Sequence, residues 1–259
     1  MQLDREFSSS GTTLRFADSG GSGRAVVLTH GAGSDHHAFD AQFDALTTAG
    51  YRVVVWNLRG HGGAPAVPIT AELLLADLNA LVAHLELERP ALVGHSLGGN
   101  LSQAAVRRDP EAFSALVVLD SAWNTGPLSR LEGALLRSAA PLLRLFPARS
   151  LPRTLARASA VTEPAQQDAE RAFSLLGKQQ FIATWRATAE FVQPDAGYRT
   201  PVPLTLVRGA RDSTGNIATA TPRWAAAEGV IDHVVPDAGH LVMQDAPDAV
   251  SAILLDALS

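Results

Sequence analysis

The chain has 259 residues, a length that fits one large domain or one domain that carries an insertion. Hydrophobic residues make up 46% of it and charged residues 18%, so it can bury a core, which excludes a mainly disordered protein. Its net charge of −5 disfavours contact with a phosphate backbone, so we expect a small-molecule partner and no nucleic acid. The absence of cysteine excludes disulfides, thiolate metal sites and a cysteine nucleophile.

The N-terminal segment lacks the apolar core of a secretory signal peptide, because Asp4, Arg5 and Glu6 lie where that core would be. A membrane-spanning helix needs about 18 consecutive apolar residues, and the sequence contains no such run. We therefore expect a cytoplasmic protein without a transmembrane segment.

In the first 121 residues, short apolar runs rich in β-branched residues alternate with longer amphipathic stretches. This alternation is typical of a parallel sheet that helices cover on both faces. Apolar residues recur at intervals of three and four in the amphipathic stretches, which predicts helices there. The predicted strands are 13–17, 25–29, 52–56, 91–93 and 115–119, and the predicted helices are 38–49, 71–87 and 97–107.

After Asp120 the alternation stops, and residues 122–199 are predicted to form helices separated by prolines. This stretch holds ten basic and six acidic residues, whereas the rest of the chain holds 11 basic and 20 acidic residues. We interpret it as a helical cap inserted into an α/β core made of residues 1–121 and 200–259.

Strands and helices alternate again after the insertion. The pattern predicts strands at 202–207 and 232–235 and helices at 218–227 and 247–258. Asp245 is a candidate cap for the last of these helices. The order of elements predicts an α/β fold with a mostly parallel central sheet flanked by helices.

The strongest motif is Gly-His-Ser-Leu-Gly-Gly at 94–99, which follows a predicted strand and opens a predicted helix. A sharp strand-to-helix turn strains its central residue, so the residues two positions away must be small, as Gly94 and Gly98 are. Such a turn lifts the Ser96 hydroxyl above the carboxyl edge of the sheet, where the first helical amides favour an anion. The alternative is an ordinary glycine-rich turn with an incidental serine. We expect Ser96 to be a nucleophile.

A serine hydroxyl needs a base that a third group orients. His240 lies between the last predicted strand and the last helix, which returns it to the carboxyl edge near Ser96. His30, His61 and His95 also lie in edge loops, but each adjoins a glycine in a tight turn, and we interpret them as structural. His240 is therefore the candidate base.

Two aspartates end strands at the same edge of the sheet, and either could orient the base. Asp212 precedes His240 by 28 residues, which leaves room for one helix and one strand, and we favour it. Asp120 is the alternative acid, and it otherwise caps the start of the insertion.

A tetrahedral oxyanion needs two hydrogen-bond donors. The Leu97 N–H is one candidate, and the glycine-rich loop 30–33 offers a second from Ala32, assisted by Gly33. This loop is a weak signal when taken alone, because short glycine-rich turns after strands are common.

Together these motifs resemble α/β-hydrolase-fold serine hydrolases of the small esterase, lipase and carbon–carbon hydrolase type. The resemblance covers roughly residues 10–121 and 200–258, and the order Ser, Asp, His is that family's order. The matching segments are 30–33, 57–62, 94–99, 209–212 and 238–240.

The resemblance implies roles for individual residues and a helical cap where this chain has its insertion. Ser96 would be the nucleophile, His240 the general base and Asp212 the orienting acid, with Ala32 and Leu97 as oxyanion donors. Epoxide hydrolases and haloalkane dehalogenases of this family carry Asp at the nucleophile position, so Ser96 argues against both chemistries.

The insertion offers fewer indications. Trp123 is interpreted either as a pocket wall above Ser96 or as core packing, and Gly33 is a further candidate for substrate contact. Arg130, Arg137 and Arg144 recur every seven residues, which fits either a solvated face or a basic surface for anionic lipid or an acidic substrate.

We therefore expect a hydrolase of carboxylic esters, or of lactones or thioesters, that acts through an acyl-Ser96 intermediate. No cofactor-binding or metal-binding constellation is evident, and none is expected. The alternatives are a carbon–carbon bond hydrolase or perhydrolase on the same triad, and a non-catalytic ligand receptor. A homodimer stays open, because oligomeric state cannot be read from one chain.

Overall fold

An eight-stranded sheet occupies the centre of the molecule. The computed structural model describes residues 1–129, 132–133, 136, 144 and 147–259. The strands are β1 (Arg5–Ser9), β2 (Thr12–Asp18), β3 (Ala25–Thr29), β4 (Arg52–Trp56), β5 (Ala91–His95), β6 (Leu116–Leu119), β7 (Leu204–Gly209) and β8 (Asp232–Val235). They lie in the order β1-β2-β4-β3-β5-β6-β7-β8. The β1–β2 and β2–β4 pairs are antiparallel and all other pairs are parallel, which confirms the predicted fold class.

Helices cover both faces of this sheet. They are α1 (Asp40–Thr48), α2 (Ala71–His84), α3 (Leu97–Arg108), α4 (Leu151–Ser159), α5 (Glu163–Leu176), α6 (Lys178–Phe191), α7 (Ile217–Glu228), α8 (Val242–Asp245) and α9 (Pro247–Ala257). Two short 3-10 helices, His36–Phe39 and Pro110–Ala112, accompany them.

The core consists of two apolar clusters, one on each face of the sheet. Val26 and Leu28 of β3 belong to one cluster, together with side chains of α1 and α9. Val27, between them, belongs to the other cluster, together with side chains of α2 and α3. Side chains alternate along a strand, so a strand buried on both faces is a nearly continuous apolar run, as residues 25–28 of β3 are.

Among the described strands and α-helices, β1 and α8 were not predicted. β1 is short and only alternate residues of it are buried, so its charged positions Arg5 and Glu6 hide the strand pattern. α8 has four residues, too few for a helical period to appear in the sequence. The Asp245 prediction was also wrong, because Ala246 occupies the N-cap position of α9 without a side-chain cap bond.

The stretch between β6 and β7 contains α4, α5 and α6 among its described residues. Pro152 and Pro164 lie in the first turns of α4 and α5, where proline is tolerated because its missing N–H would be unpaired anyway. Arg130 and Arg137 of the predicted basic surface lie outside the described residues, whereas Arg144 is exposed. The basic surface therefore stays a prediction.

In the part of the chain that the structure describes, no helix has both the length and the apolar character needed to cross a bilayer. The cytoplasmic location and the open question of a homodimer stay at the level of prediction.

Candidate active site

Ser96 occupies a strained turn between β5 and α3. Its backbone has φ 50° and ψ −116°, a combination that side-chain-bearing residues rarely adopt. A Cβ added at Gly94 would lie 2.3 Å from the Gly98 carbonyl oxygen, and one at Gly98 would lie 2.1 Å from the Thr29 carbonyl oxygen. The backbone approach on both sides of Ser96 therefore requires glycine, as the motif predicted.

The sheet brings three side chains to one edge. Ser96 follows β5, Asp212 follows β7 and His240 follows β8, and the carboxyl ends of these parallel strands lie at the same edge. His240 Nε2 lies 3.0 Å from Ser96 Oγ, and His240 Nδ1 lies 3.0 Å from Asp212 Oδ2. The Thr214 N–H donates to Asp212 Oδ1 at 2.8 Å, which fixes the carboxylate. The three residues form one hydrogen-bonded chain.

Asp212 is held in its ionised form. Burial alone raises the pKa of this carboxyl, but the facing His240 and the hydrogen bonds from His240 and Thr214 outweigh burial and lower the pKa to about 2. An ionised Asp212 accepts from an Nδ1–H, so His240 Nε2 carries the lone pair that faces the Ser96 hydroxyl. This tautomer is the one that can take a proton from serine.

The alternative acid, Asp120, lies beside Asp212 and makes no hydrogen bond to His240. The Gly209 N–H donates to Asp120 Oδ1 at 2.9 Å, while Asp120 Oδ2 is buried with no partner among the described groups. Burial and the neighbouring charge of Asp212 raise the pKa of Asp120 well above its ordinary value. Asp120 therefore holds its proton more firmly than an ordinary carboxyl does.

Asp120, Asp212 and His240 each place one potential ligand atom within 4.8 Å of the others, so their chemistry could in principle suit a metal ion. Both ring nitrogens of His240 already bond to Ser96 and Asp212, however. Burial and the charge of Asp212 also raise the pKa of Asp120, which disfavours the deprotonated form that a metal ligand must have. The cluster fits a proton relay better than a metal site.

The loop after β3 presents a backbone N–H near the nucleophile. The Gly33 N–H donates to His61 Nε2 at 3.3 Å, so it does not assist Ala32 as we expected. Within the described residues, the Ala32 and Leu97 N–H groups have no acceptor. Gly33 instead packs closely against Phe173 of α5. A Cβ at position 33 would lie 2.0 Å from the Phe173 ring, so only glycine fits there.

Three buried histidines brace the loops of this site. Burial disfavours their charged form and lowers the pKa of His30 to about 3, of His61 to about 4 and of His95 to about 3. His30 Nε2 accepts from the Leu58 N–H at 3.1 Å, and His95 Nε2 donates to the His240 carbonyl oxygen at 2.8 Å. Their contacts are with backbone groups, in agreement with the structural role predicted for them.

A cavity of about 240 Å³ lies above Ser96 and His240. Its floor includes Ala32 and Gly33. Its roof comes from α4, α5 and α6 through the side chains Leu155, Ala169, Phe173, Phe181 and Trp185. The roof is apolar, and no lysine or arginine is among the described residues that line the cavity.

A model of the alpha/beta hydrolase family matches residues 26–253. The chain belongs to the alpha/beta hydrolase family. The match spans most of the chain and includes β3 to β8 together with the helices between β6 and β7. The predicted resemblance is confirmed at the level of the family.

This alpha/beta hydrolase is similar to curated proteins over part of its length. It is 36% identical over 113 residues to a non-heme haloperoxidase of Rhodococcus erythropolis, covering 43% of this chain and 41% of that protein. It is 35% identical over 119 residues to a 2-hydroxy-6-oxononadienedioate/2-hydroxy-6-oxononatrienedioate hydrolase of Paraburkholderia phymatum, covering 42% and 41%. The matched segment thus spans about two fifths of these relatives.

Solved structures share its fold over nearly the whole chain. An enol-lactonase from Burkholderia xenovorans superposes with a TM-score of 0.82 at 23% identity, covering 98% of this chain and 99% of that one. A thermophilic esterase from Thermogutta terrifontis superposes with a TM-score of 0.79 at 22% identity, covering 100% and 98%. At this level of identity the likeness concerns the fold.

Trp123 is not a wall of the cavity above Ser96 in this alpha/beta hydrolase. It stacks on Trp224, with ring centroids 5.9 Å apart and planes within 3°, and it lines a neighbouring cavity. The neighbouring Asn124 anchors this segment to α3. Asn124 Nδ2 donates to the Asn100 carbonyl oxygen at 2.8 Å, and Asn100 Nδ2 donates to Asn124 Oδ1 at 2.6 Å. This anchor turns the segment away from Ser96.

Asp245 is a residue of the site region whose role was missed. Its carboxylate accepts from the backbone N–H groups of Val161, Thr162 and Gly239 at 2.8–3.0 Å, and from the Thr162 hydroxyl at 2.9 Å. It thereby ties the segment before α5 to the loop that carries His240. No local pattern predicts this role, because Val161 and Thr162 lie more than 80 residues away in the chain.

A second missed contact joins α5 to the loop after β3. Arg171 of α5 donates from both terminal nitrogens to Asp35, at 2.7 and 2.9 Å. Burial alone raises the pKa of Asp35, but Arg171 outweighs it and lowers the pKa. A bidentate pair of this kind fixes direction as well as distance, so α5 is held above the loop that contains Ala32.

Proposed function

We propose that this chain hydrolyses uncharged carboxylic esters, including lactones and thioesters, through an acyl-enzyme on Ser96. The observation that carries the proposal is the hydrogen-bonded chain from Asp212 through His240 to Ser96 beneath an apolar cavity. A nucleophile, a base within hydrogen-bond reach and a group that orients the base are the parts that nucleophilic catalysis needs.

In the proposed first step, Ser96 Oγ attacks the ester carbonyl carbon while His240 Nε2 takes the hydroxyl proton. Asp212 stays ionised and stabilises the imidazolium that forms. The tetrahedral intermediate collapses as His240 gives its proton to the leaving alkoxide. The alcohol departs and leaves an acyl group on Ser96.

In the second half of the proposed reaction, water hydrolyses the acyl group on Ser96. His240 takes a proton from water, the hydroxide attacks the acyl carbon, and His240 returns the proton to Ser96 Oγ as the carboxylic acid leaves. The N–H groups of Ala32 and Leu97 would stabilise the oxyanion in both tetrahedral intermediates, and one such donor is worth about 10²–10³ in kcat. The proposed reaction uses no cofactor.

The cavity supports an uncharged substrate. Its described lining offers apolar side chains, hydroxyls and His95 and His240, but no lysine or arginine to bind a carboxylate. Arg171, the basic side chain of α5, pairs with Asp35 and Asp168. The Paraburkholderia relative is named for a dioate substrate, so the lining favours ester hydrolysis over that carbon–carbon chemistry.

We assign the roof of the cavity to a helical cap, residues 122–199, on a core of residues 1–121 and 200–259. Helices α4–α6 supply the roof side chains, and the contacts of Asp35 and Asp245 hold these helices in place. In this arrangement the core performs the chemistry and the cap selects the substrate.

A fluorophosphonate probe tests the nucleophile. Intact-mass spectrometry should find one adduct on the wild type and none on Ser96→Ala, with hydrolysis of p-nitrophenyl acetate lost in the same variant. Ser213 lines the same cavity, so Ser213→Ala is the matched control and should keep both the adduct and the activity. An adduct that persists in Ser96→Ala would show that another residue is the nucleophile. If the wild type gives neither an adduct nor turnover, the alternative of a non-catalytic ligand receptor is favoured.

A further inference from the structure

A second cavity, of about 310 Å³, lies next to the catalytic one. Trp185 of α6 lines both cavities. The loop after Asp212 also borders both, because Ser213 and Thr214 line the catalytic cavity while Gly215 and Asn216 line the second. The two spaces are therefore neighbours on either side of Trp185.

The second cavity has an apolar lining. The apolar side chains among its described lining residues include Trp123, Pro127, Leu128, Leu136, Val192 and Ala220. A concave apolar surface of this volume is what an alkyl or aryl group occupies in small-molecule sites. It lies beyond the residues that the proposed reaction uses.

The charged groups of the second cavity are one acid and one base, Glu132 and Arg223. Asn216 Nδ2 donates to Glu132 Oε1 at 3.1 Å. Hydrogen bonds from Ser129 and Asn216, followed by the charge of Arg223, lower the pKa of Glu132 to about 2. The described lining therefore carries no net charge, which suits an uncharged ligand.

Trp185 forms an aromatic wall between the two cavities. Its indole nitrogen is buried and exposes no surface to either cavity. The part of Trp185 that a substrate can contact is therefore its apolar ring.

We propose that the second cavity is a substrate subsite, which holds an uncharged apolar chain of about six or more carbons while the ester carbonyl lies at Ser96. Trp185 divides the elongated site and packs its ring against the substrate. This inference rests on the proposed esterase function and adds the substrate class, an ester with one long apolar side.

Ala220→Trp tests the subsite, because the new side chain would fill the second cavity. We expect kcat/KM for p-nitrophenyl decanoate to fall about tenfold or more, while that for p-nitrophenyl acetate stays within about twofold. Ala218 lies on the same helix and is exposed, so Ala218→Trp is the matched control and should leave both values unchanged. Thr219→Trp fills the same cavity from its rim and serves if Ala220→Trp does not fold.

Decyl acetate distinguishes the two ends of the ester. A loss confined to p-nitrophenyl decanoate assigns the cavity to the acyl chain, and a loss confined to decyl acetate assigns it to the alcohol. Equal activity of Ala220→Trp and Ala218→Trp on both long substrates would overturn the subsite. Adduct formation and acetate hydrolysis report the proposed function separately, so its failure cannot be confused with that of the subsite.

Trp185→Ala tests the wall between the cavities. Loss of the indole should widen the passage between them and raise the ratio of kcat/KM for p-nitrophenyl decanoate to that for p-nitrophenyl acetate by about threefold or more. Trp185→Phe keeps an aromatic wall and is the matched control, with a ratio within about twofold of the wild-type ratio. Equal ratios in Trp185→Ala and Trp185→Phe would contradict the dividing role of Trp185.

Discussion

Asp120 and Asp212 share one buried site at the carboxyl edge of the sheet, and their pKa values are shifted in opposite directions. Asp212 bonds to His240 and its pKa is lowered to about 2, whereas burial and the charge of Asp212 raise the pKa of Asp120 well above its ordinary value. Two carboxyl groups this close cannot both ionise without a large cost. The pair therefore favours the negative charge on the carboxylate that contacts His240.

The two aspartates should therefore respond differently to the same substitution. Asp212→Asn should lower kcat by about 10⁴, because an amide cannot hold the His240 tautomer or stabilise the imidazolium. Asp120→Asn should keep kcat within about tenfold, since Asp120 makes no hydrogen bond to His240 and its raised pKa disfavours a charge that the amide would remove. Steady-state kinetics with p-nitrophenyl acetate compare them. If Asp120→Asn is the more damaging change, the acid has been assigned to the wrong residue.

The buried histidines predict how stability depends on pH. His30, His61 and His95 have lowered pKa values of about 3, 4 and 3 in the folded chain, so below pH 6.5 the unfolded chain binds protons that the folded chain does not. Their contribution is complete above pH 6.5 and is lost as pH falls toward 4. Asp120, with its raised pKa, acts in the opposite direction and offsets part of this loss.

We expect the free energy of unfolding to fall between pH 6.5 and pH 5.5, because the three histidines together lose about 3 kcal/mol over this interval and Asp120 offsets only part of that loss. Urea unfolding at the two pH values measures it. Asp120→Asn removes the opposing effect and should make the fall steeper. His84→Gln, at an exposed site, should leave the difference unchanged. A flat profile would contradict the neutral state of the buried histidines.

Gly98 should not tolerate a side chain. An added Cβ would lie 2.1 Å from the Thr29 carbonyl oxygen, and backbone atoms cannot move aside as a flexible side chain can. Gly98→Ala should lower the free energy of unfolding by about 3 kcal/mol or prevent folding. Gly197 has ordinary surroundings, with its closest contact at 3.6 Å, so Gly197→Ala should change stability by less than about 0.5 kcal/mol. Denaturant unfolding measures the free energy of unfolding of both variants, and equal values for the two would contradict the prediction.

Asp245 should support activity through the backbone rather than through contact with substrate. Asp245→Ala leaves the N–H groups of Val161, Thr162 and Gly239 without their acceptor and should cost about 2 kcal/mol of stability. The loop that carries His240 loses the same contact, so His240 is held less firmly against Ser96 and kcat should fall about tenfold or more. Asp248→Ala, at an exposed residue of α9, is the control and should keep kcat. Unaltered kcat in Asp245→Ala would show that the His240 loop keeps its position without the Asp245 contacts.

The sequence predicted those parts of the site that follow from local turn chemistry and sheet order. The glycines around Ser96 mark the strained turn, and parallel strands place His240 and Asp212 at the same edge. Trp123 and Asp245 could not be placed in this way, because the direction of each side chain depends on partners distant in the chain. Contacts of this kind leave no periodic pattern in a single sequence.

The hydrogen bond from His95 Nε2 to the His240 carbonyl oxygen links the residue next to the nucleophile to the backbone of the base. His240 is therefore positioned by Asp212 and by this backbone contact even when the Ser96 hydroxyl is removed. Ser96→Ala should keep a preformed pocket and capture an intact ester without cleaving it. A crystal of that variant soaked with candidate esters would reveal the bound substrate directly.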